Sequence, residues 1–589
     1  MRVSGKGLIN REKTLNFKFD GRNYKGFEGD TVASALLASG KKVFGRSFKY
    51  HRPRGVLTAG SEEPNALITV GQGAFQDPNI RATTQEIFEG LVTKSQNNWP
   101  NLQYDILSIN DLFSNFLGAG FYYKTFMWPK SFWEKIYEPF IRRAAGLGAL
   151  SGLHNSDTYE KAYAFCDLLI IGGGPSGLIA AKIAAEAGLD VILAEQEPIF
   201  GGRLNSETEK VDGIPGSDWA VKIIEELKEL DNVRLFLRTT VTGVYDQGTF
   251  AAVERVGHHL PDRGSDRPLE CFWRIVAKNS ILAAGAIERA IAFPNNDRPG
   301  IMAASAVRTY LNRFGVSPGK SIALFCNNNS AHNTAKDLLE SGINVAAIID
   351  SREDSKTDLD VPFYNGAEVS NTFGRQGLKS INVKKNNTES KIEVDCLAVS
   401  GGWNPTLHLT CHMNGRPTWD EKILSFVPEI GAIPNMAVVG ASNGFMDTHS
   451  CFMSAEKEVS RIIKSSGRTA KTKRLPKAEL TKYEIAPKWS VEGKGRAWLD
   501  YQNDVTVKDI QQSVQENFKS VEHMKRYTTQ GMAIDQGKNS NVASLAILAD
   551  ATGRGIPETG TTTFRPPFVP VSIASMGKNA QGIGFAPQR

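Results

Sequence analysis

Apolar and polar residues alternate near the start of the chain, which is the pattern of paired β-strands. The alternation runs over residues 15–19 and resumes over residues 24–27, with Asp20-Gly21 suited to a turn between them. An Ala/Leu-rich segment, residues 32–38, then predicts a short helix. With further short strands, these elements predict a β-grasp ferredoxin-like domain over residues 1–99.

The next segment, residues 100–164, is dense in aromatic residues. We predict a helical connector whose rings pack beneath neighbouring domains. A membrane-surface helix is the alternative, but Pro129 and Pro139 interrupt any long amphipathic stretch. The aromatic residues are Phe113, Phe116, Phe121, Tyr122, Tyr123, Phe126, Trp128, Phe132, Trp133, Tyr137 and Phe140.

From residue 165 the pattern becomes that of an α/β protein. An apolar strand at 166–171, a glycine-rich turn, an Ala-rich helix at 178–187 and a buried strand at 191–194 follow one another. We predict a two-dinucleotide-binding, Rossmann-like domain formed by residues 165–290 and 397–465.

A second unit of similar build interrupts that domain. Residues 321–325, 335–339 and 345–349 predict a strand, a helix and a strand. We therefore predict an inserted second Rossmann-like unit over residues 291–396.

The last part of the chain, residues 480–589, is predicted to be a small helical domain with an extended tail. Residues 543–551 predict one helix, and the Thr-, Pro- and Gly-rich residues 561–589 predict extended chain. A further helical pattern is formed by Ile510, Val514, Phe518, Val521 and Met524.

Charge, cysteine content and hydropathy argue against a nucleic-acid-binding, a secreted or a membrane protein. The net charge of +6 is small for 589 residues, so we expect no nucleic-acid partner. Scattered cysteines without a CxxC pair, no signal-type N-terminus and no apolar run of about 20 residues predict a cytoplasmic chain that does not enter a membrane. One local basic cluster is expected to lie against a partner or a nucleotide: Lys41, Lys42, Arg46, Lys49, Arg52 and Arg54.

The glycine-rich turn carries the candidate chemistry, and its residues are Gly172, Gly173, Gly174, Pro175, Ser176 and Gly177. A helix N-terminus offers unpaired N–H groups and partial positive charge to a pyrophosphate where side chains are absent. Gly172 would allow the tight turn, Gly174 the approach of phosphate, and Gly177 the close packing of helix on strand. A structural glycine turn is the alternative, but the strand before and the helix after favour a dinucleotide site.

Glu195 ends the next predicted strand, where a carboxylate can accept hydrogen bonds from the adenosine ribose and would repel a 2′-phosphate. It therefore favours NAD or FAD over NADP. Two later turns, Gly202-Arg203-Leu204 and Ala284-Gly285, are typical of two-dinucleotide flavoproteins. In the second unit, residues 326–330 carry asparagines where glycines are needed, which predicts a degenerate, empty second site.

No residue stands out as a catalyst. His408, Cys411 and His412 lie close in sequence but lack a fourth ligand, so we predict no metal site there.

Several longer blocks resemble the alpha subunit of heterotetrameric sarcosine oxidase, a family of multisubunit flavoenzymes. They occur in the expected order over nearly all of the chain. The blocks are residues 48–55, 172–177, 296–300, 399–405, 504–506, 520–523, 525–529, 535–538 and 560–567.

The resemblance implies that this chain binds NAD, while a beta-type subunit oxidises the amine at FAD and FMN lies near the interface with the beta subunit. Small gamma- and delta-type subunits complete the complex. The implied reaction is oxidative demethylation of sarcosine, or a related N-methyl amine, to glycine, hydrogen peroxide and formaldehyde or methylenetetrahydrofolate. The implied NAD contacts are Ser176, Glu195, Gln196, Arg203, Val241, Ala441, Ser442, Met446 and Thr448.

Two departures from the family pattern matter. Alpha subunits of the family continue into an aminomethyltransferase-like folate domain. Here we expect either that a separate subunit carries it, which we favour, or that folate transfer is absent. The N-terminal domain resembles iron–sulfur domains, yet residues 1–165 contain no cysteine, and a [2Fe–2S] cluster needs about four thiolates. We therefore expect no cluster.

Two rival hypotheses remain open on the sequence. One is a self-contained FAD-dependent oxidoreductase of the amino-acid or opine dehydrogenase type. The other is a non-catalytic structural subunit with an empty nucleotide site.

Overall fold

The computed structural model describes residues 1–124, 128–139, 141, 146–262, 267–470 and 474–577. The N-terminal domain is a five-stranded sheet, in the order β2-β1-β7-β5-β6, with one helix against it. Its predicted hairpin and helix are confirmed; Thr31 caps the helix by accepting from the Ser34 N–H. The elements are β1 (Asn10–Phe19), β2 (Arg22–Glu28), α1 (Val32–Ala38), β3 (Gly45–Arg46), β4 (Pro53–Arg54), β5 (Leu67–Val70), β6 (Asp77–Arg81) and β7 (Val92–Ser95).

The connector differs from the prediction. Its described helical turns are short, at Ile106–Asp111, Ser114–Phe116, α2 (Phe121–Lys124) and Trp133–Tyr137. Five of the described rings are exposed rather than packed beneath neighbouring domains: Trp128 is 83% exposed, and Phe113, Phe116, Phe132 and Trp133 are also exposed. Phe121 is buried, whereas Phe126 and Phe140 lie outside the described residues. Short turns cannot bury so many rings, because burial needs a long apolar face.

The first α/β domain contains a seven-stranded sheet in the order β12-β9-β8-β15-β14-β13, with Met436–Val438 also paired to β15. The strands β12, β9, β8 and β15 run parallel, as a Rossmann-type sheet requires. The elements are β8 (Tyr159–Ile171), α3 (Pro175–Glu186), β9 (Val191–Ala194), β10 (Lys210–Val211), β11 (Ile214–Pro215), α4 (Gly216–Lys228), β12 (Val233–Phe236), β13 (Thr239–Tyr245), β14 (Thr249–Arg255) and β15 (Glu270–Leu282).

The inserted unit contains a parallel sheet in the order β17-β24-β18-β19-β20 and a separate meander, β21-β22-β23. Residues 396–400 pair inside this sheet, so the predicted return to the first domain at residue 397 comes too early. The elements are β16 (Ala286–Glu288), β17 (Ile301–Ala303), α5 (Ala304–Asn312), β18 (Ser321–Cys326), α6 (His332–Glu340), β19 (Asn344–Asp350), β20 (Phe363–Asn365), β21 (Glu368–Phe373), β22 (Ser380–Lys385), β23 (Thr388–Glu393), β24 (Cys396–Ser400) and β25 (Trp403–Pro405).

The chain rejoins the first sheet at residue 436 and ends in a helical domain. The single amphipathic pattern after Thr506 forms two helices, because the chain turns at residues 516–520. The elements are β26 (Thr418–Asp420), β27 (Ser425–Val427), β28 (Met436–Val438), α7 (Thr448–Ser465), β29 (Trp498–Asp500), β30 (Val505–Thr506), α8 (Val507–Gln515), α9 (Val521–Thr528), α10 (Asn541–Thr552), α11 (Ile556–Thr559) and α12 (Ile573–Gly577). The tail is therefore not wholly extended.

Lys42, Arg52 and Arg54 of the N-terminal basic cluster form ion pairs within the chain; contact of the cluster with a partner or a nucleotide stays a prediction. The buried Arg54 also lies over the Trp498 ring, 4.8 Å from its centroid. These contacts join the N-terminal, inserted and C-terminal parts. The ion pairs are Lys42–Asp395 (3.0 Å), Arg52–Asp297 (2.6 Å), Arg54–Asp297 (3.2 Å) and Arg54–Asp504.

All six cysteines are buried and free. Within the residues that the structure describes, no helix combines the length and the apolar character that a membrane crossing requires.

Candidate functional site

The turn between β8 and α3 can be formed only by small residues. Gly172 has a φ of +105°, and a Cβ atom there would lie 2.4 Å from the Ala283 carbonyl oxygen. A Cβ atom on Gly177 would lie 1.9 Å from the Gly172 carbonyl oxygen. Gly172 therefore permits the turn, and Gly177 permits the helix to pack against it.

The third glycine, Gly174, faces open space. A Cβ atom there would meet only the Gly202 Cα atom, at 3.9 Å. Gly174 is also the N-cap residue of α3, and no side chain caps that helix. The first N–H groups of α3 are thus open to an anion, in a cradle walled by two glycines.

Glu195 lies next to this cradle, directly after β9. Its buried carboxyl group accepts hydrogen bonds from the Gly173 N–H (2.7 Å) and the Glu197 N–H (2.9 Å). Burial raises the pKa of Glu195 to about 7. The carboxyl group can therefore change charge near neutral pH, and it can accept hydrogen bonds from ribose hydroxyls.

A cavity of about 500 Å³ contains both the cradle and Glu195. It extends from the first parallel sheet to the inserted unit, because residues of both line it. The predicted site residues that line it are Gly172, Gly174, Pro175, Ser176, Glu195, Gln196, Gly202, Arg203, Val241, Ala284, Gly285, Ala441 and Met446.

Five predicted site residues support the cavity from behind its wall. Gly173 and Gly177 form the turn, and Leu204 is buried in the core beneath it. The Ser442 hydroxyl donates to the Gly285 carbonyl (3.0 Å), and the Thr448 hydroxyl donates to Glu209 (2.6 Å). In this structure these residues are not on the cavity wall.

Arg203 is the nearest cation to the cradle that the sequence predicted. Its guanidinium donates to the Glu207 carboxylate (2.8 Å) and to the Met446 carbonyl oxygen (2.6 Å). These contacts hold the side chain beside Gly202, which leaves the glycine walls clear.

Several lining residues were missed by the sequence analysis. They come from the N-terminal domain, the inserted unit, the segment after residue 480 and the tail, so their common position is created only by folding. The Asn-rich turn was the one available signal, but it was interpreted as a failed phosphate site. The missed residues include Ser61, Glu62, Glu288, Arg308, Arg313, Asn329, Asn333, Trp403, Lys482, Tyr483 and Phe568.

The turn of the second unit is covered by the chain's own residues 482–486, which we call the strap. The Asn329 N–H donates to the Glu484 carbonyl (3.1 Å), and the Ala486 N–H donates to the Asn327 carbonyl (3.0 Å). The Asn329 side-chain amide also donates to the Lys482 carbonyl oxygen (2.7 Å). The strap thus covers the Asn-rich turn with protein backbone, and the absence of a second dinucleotide stays a prediction.

One group of potential metal ligands exists among the described residues: Cys326, His332 and Asp350. Their ligand atoms lie within 4.8 Å of one another. Arg352, however, donates to both oxygens of Asp350, at 3.0 and 2.7 Å. A guanidinium already balances the carboxylate, which disfavours a cation there.

Family models match three segments of the chain. Residues 12–98 match the 2Fe-2S iron-sulfur cluster binding domain, residues 167–229 match FAD dependent oxidoreductase, and residues 494–580 match the sarcosine oxidase A3 domain. Residues 12–98 contain no cysteine, so they do not fit the thiolate set that a cluster needs.

A solved structure shares the fold over nearly the whole chain. L-proline dehydrogenase from P. horikoshii superposes with a TM-score of 0.69, covering 98% of this chain and all of that one, at 18% identity. The chain therefore shares the fold of that structure over nearly its whole length.

Curated relatives are more similar to this chain in sequence than that solved structure is. Sarcosine oxidase subunit alpha of Rhizobium meliloti (strain 1021) is 46% identical over 100% of this chain, and that of Corynebacterium sp. (strain U-96) is 35% identical over 99%. The chain spans 60% and 58% of those relatives. Along its whole length, therefore, the chain is homologous to the alpha subunits of sarcosine oxidase.

Proposed function

We propose that this chain is the NAD-holding, alpha-type subunit of a multisubunit flavoenzyme similar to sarcosine oxidase. The observation that carries the proposal is the cavity in which a glycine-walled helix N-terminus meets the buried Glu195 carboxyl group. Full-length homology to subunits of that name supports it.

Different residues of the cavity bind different parts of the dinucleotide. The first N–H groups of α3 bind the pyrophosphate, and Gly174 and Gly202 give it access. Glu195 accepts hydrogen bonds from the ribose hydroxyls, while Val241 on β13 lines the adenine end. When bound, NAD supplies a nicotinamide ring, and this chain positions it.

In the proposed complex, amine oxidation takes place at FAD on a beta-type partner, and FMN lies near the interface between the two chains. In the overall reaction, O2 oxidises sarcosine, or a related N-methyl amine, and is itself reduced to hydrogen peroxide; with water the other products of sarcosine are glycine and formaldehyde, and with tetrahydrofolate they are glycine and methylenetetrahydrofolate. Small gamma- and delta-type subunits complete the assembly. The N-terminal domain serves as a cluster-free scaffold.

The proposed location is the cytoplasm. Six free, buried cysteines fit a reducing compartment, in which thiols are kept from pairing.

Nucleotide analysis tests the proposal directly. The complex is purified from its native source through a tag on this chain, the partner chains are identified, and each chain is separated before denaturation. We expect mass spectrometry to find about one NAD per copy of this chain and flavin with the partner. A preparation in which this chain releases no NAD would contradict the proposal.

FAD on this chain is the second candidate, because the FAD dependent oxidoreductase model covers residues 167–229, which include the cradle. A Rossmann site binds the ADP part of NAD and of FAD in the same way. The released nucleotide separates the two: FAD from this chain, with a yellow colour that NADH bleaches, would favour the second candidate.

A further inference from the structure

Six large apolar residues are exposed on one short stretch of the connector, residues 99–113, which we call the platform. Tight turns keep it compact: the Ile106 N–H donates to the Trp99 carbonyl oxygen (2.8 Å), and the Leu112 N–H donates to the Ile109 carbonyl oxygen (3.0 Å). Each of the six residues is 52–81% exposed, and they are Trp99, Tyr104, Ile106, Ile109, Leu112 and Phe113. These side chains therefore belong to one compact segment rather than to scattered loops.

Polar side chains attach the platform to the rest of the chain from beneath. The Asp105 and His51 side chains have no exposed area, and the carboxylate lies 2.8 Å from the imidazole Nδ1. Further along, Asp111 pairs with Arg52 (3.2 Å) and with Arg496 (2.5 Å). Both charged residues of the platform are thus bound within the chain, which leaves its apolar residues exposed on the outside.

The apolar area of the platform is larger than a surface loop needs. Single exposed apolar residues are normal, but contiguous patches larger than a few hundred Å² mark interaction sites. Aromatic side chains offer about 150–250 Å² each and Ile and Leu somewhat less, so the six exposed fractions amount to about 700 Å². One side of a stable, standard-sized protein interface buries about 800 Å². The platform alone is therefore large enough to supply most of one such side.

The chemistry of the platform favours a protein partner over a lipid surface. Residues 99–113 contain no lysine or arginine, whereas segments that lie on anionic membranes present basic residues beside their apolar ones. Interface cores between proteins are instead rich in aromatic residues and poor in charge. The most apolar interfaces join chains that stay associated permanently. We therefore expect the occupant to be a permanently bound protein chain with an apolar surface.

We propose that the platform is the docking site of the flavin-carrying, beta-type chain of the complex. Its apolar side chains pack against an apolar surface of that chain, while Asp105 and Asp111 hold the platform in place from its own side. The inference rests on the proposed function for the identity of the partner. It does not rest on NAD binding, because none of the residues 99–113 lines the nucleotide cavity.

A charge placed on the platform tests the assignment. The complex is purified from its native source through a tag on this chain, and the flavin-carrying chain that stays bound is measured on dilution. We expect Leu112→Lys to weaken the association at least about thirtyfold, the effect of losing an anchor at the centre of an interface. Leu480→Lys, at another leucine 70% exposed, is the matched control and should retain the partner fully. Both variants should keep the NAD content and the unfolding midpoint of the unmodified chain.

A second measurement needs no substitution. Hydroxyl radicals label exposed aromatic side chains, and interface formation shields those chains from the solvent. We expect Tyr104 and Phe113 to be labelled severalfold more slowly in the intact complex than in the separated chain. Mass spectrometry of the digested chain gives the two rates.

Three results would overturn the inference. The first is that Leu112→Lys keeps the flavin-carrying chain, or that labelling is equal in the complex and the separated chain. The second is that Leu112→Lys loses a second copy of the tagged chain while the flavin-carrying chain stays bound, which would make the platform a self-association surface. The third is that the separated chain binds phosphatidylglycerol vesicles that shield Tyr104 as the complex does not, which would assign the platform to a membrane.

The same experiment separates this inference from the proposed function. If Leu112→Lys loses the partner as expected but the unmodified chain releases no NAD, the proposed NAD site fails while the docking surface stands. If the unmodified chain co-purifies with no flavin-carrying chain, both fail.

Discussion

Glu195 and Asp350 occupy equivalent positions, each at the end of the second strand of a Rossmann-like unit. Glu195 keeps an open side toward the cavity, with only backbone N–H groups as hydrogen-bond donors. Asp350 is paired with His332 (3.0 Å) and Arg352 (2.7 Å). The same type of residue thus serves an open site in one unit and a closed ion-pair cluster in the other.

Reversing the charge at Glu195 should remove the nucleotide. Glu195→Arg places a cation where ribose hydroxyls need an acceptor, so we expect the complex to lose most of its NAD during purification. The amount retained is measured by mass spectrometry. Glu225→Arg, at a side chain 62% exposed on α4, is the control and should retain NAD fully. Full retention by Glu195→Arg would show that the ribose lies elsewhere.

The affinity for NAD should rise with pH through neutrality. The pKa of Glu195 is about 7 in the free chain, and hydrogen bonds from ribose hydroxyls favour the ionised carboxylate. Binding therefore lowers this pKa, and we expect about tenfold tighter binding at pH 8 than at pH 6. Calorimetric titration measures the effect. Glu195→Gln should bind NAD with no such pH dependence, and a slope that survives this change would place its origin at another group.

At the scale of elements, two glycines of the turn before α3 have different roles: one is needed for the stability of the fold and the other for nucleotide binding. Gly177 packs directly against the turn, whereas Gly174 faces the cavity. The two glycines are only three positions apart, yet an added methyl group should lower the stability of the fold at Gly177 and the affinity for NAD at Gly174.

Gly177→Ala should destabilise the fold by about 3 kcal/mol or more, because its Cβ atom would lie 1.9 Å from a carbonyl oxygen. Gly174→Ala should fold normally but bind NAD about tenfold to a hundredfold more weakly, because the methyl group displaces a charge-assisted hydrogen bond. Thermal unfolding and NAD titration measure the two effects. Tight NAD binding by Gly174→Ala would contradict the position assigned to the pyrophosphate.

Local patterns predicted the elements that local chemistry determines. The hairpin at Asp20-Gly21, the helix capped by Thr31 and the strand Val191–Ala194 needed only periodicity and turn residues. The boundary at residue 397 was wrong because an apolar strand before a glycine has the same pattern in either sheet. Sheet partners depend on packing, which periodicity does not encode.

The sequence predicted the glycine-walled cradle and Glu195, but it did not predict the cavity residues that come from distant segments. The cradle follows from the glycine motif at residues 172–177 and the later turn at Gly202, so the sequence identifies it. Tyr483, Glu62 and Phe568 reach the same cavity from three distant segments. No local pattern marks them, because the contacts that make them neighbours arise from the tertiary fold.

At the scale of the whole molecule, Arg54 joins three parts of the chain. It contacts Asp297 of the inserted unit (3.2 Å) and Asp504 of the C-terminal domain, and all three side chains are buried. The sequence analysis predicted that the basic cluster contacts a partner or a nucleotide, but the acidic partners of Lys42, Arg52 and Arg54 lie in this chain, hundreds of residues away.

Removing this guanidinium should destabilise the assembled fold. Arg54→Met leaves the buried Asp504 carboxylate without its cation, while Asp297 keeps Arg52, and we expect a loss of about 3–5 kcal/mol. Thermal unfolding of the full chain measures the loss as a lower midpoint. Lys13→Met breaks an exposed pair with Glu28 and should cost at most about 1 kcal/mol. Equal midpoints for the two variants would show that Arg54 does not join the domains.

The central claim is that the cavity holds a dinucleotide by its phosphates and its adenosine ribose. A density map of the native complex, at a resolution that separates the phosphates, tests it most directly. We predict density for NAD with the pyrophosphate between Gly174 and Gly202 and the ribose hydroxyls at Glu195. A cradle without ligand density, or a ribose placed away from Glu195, would contradict the account.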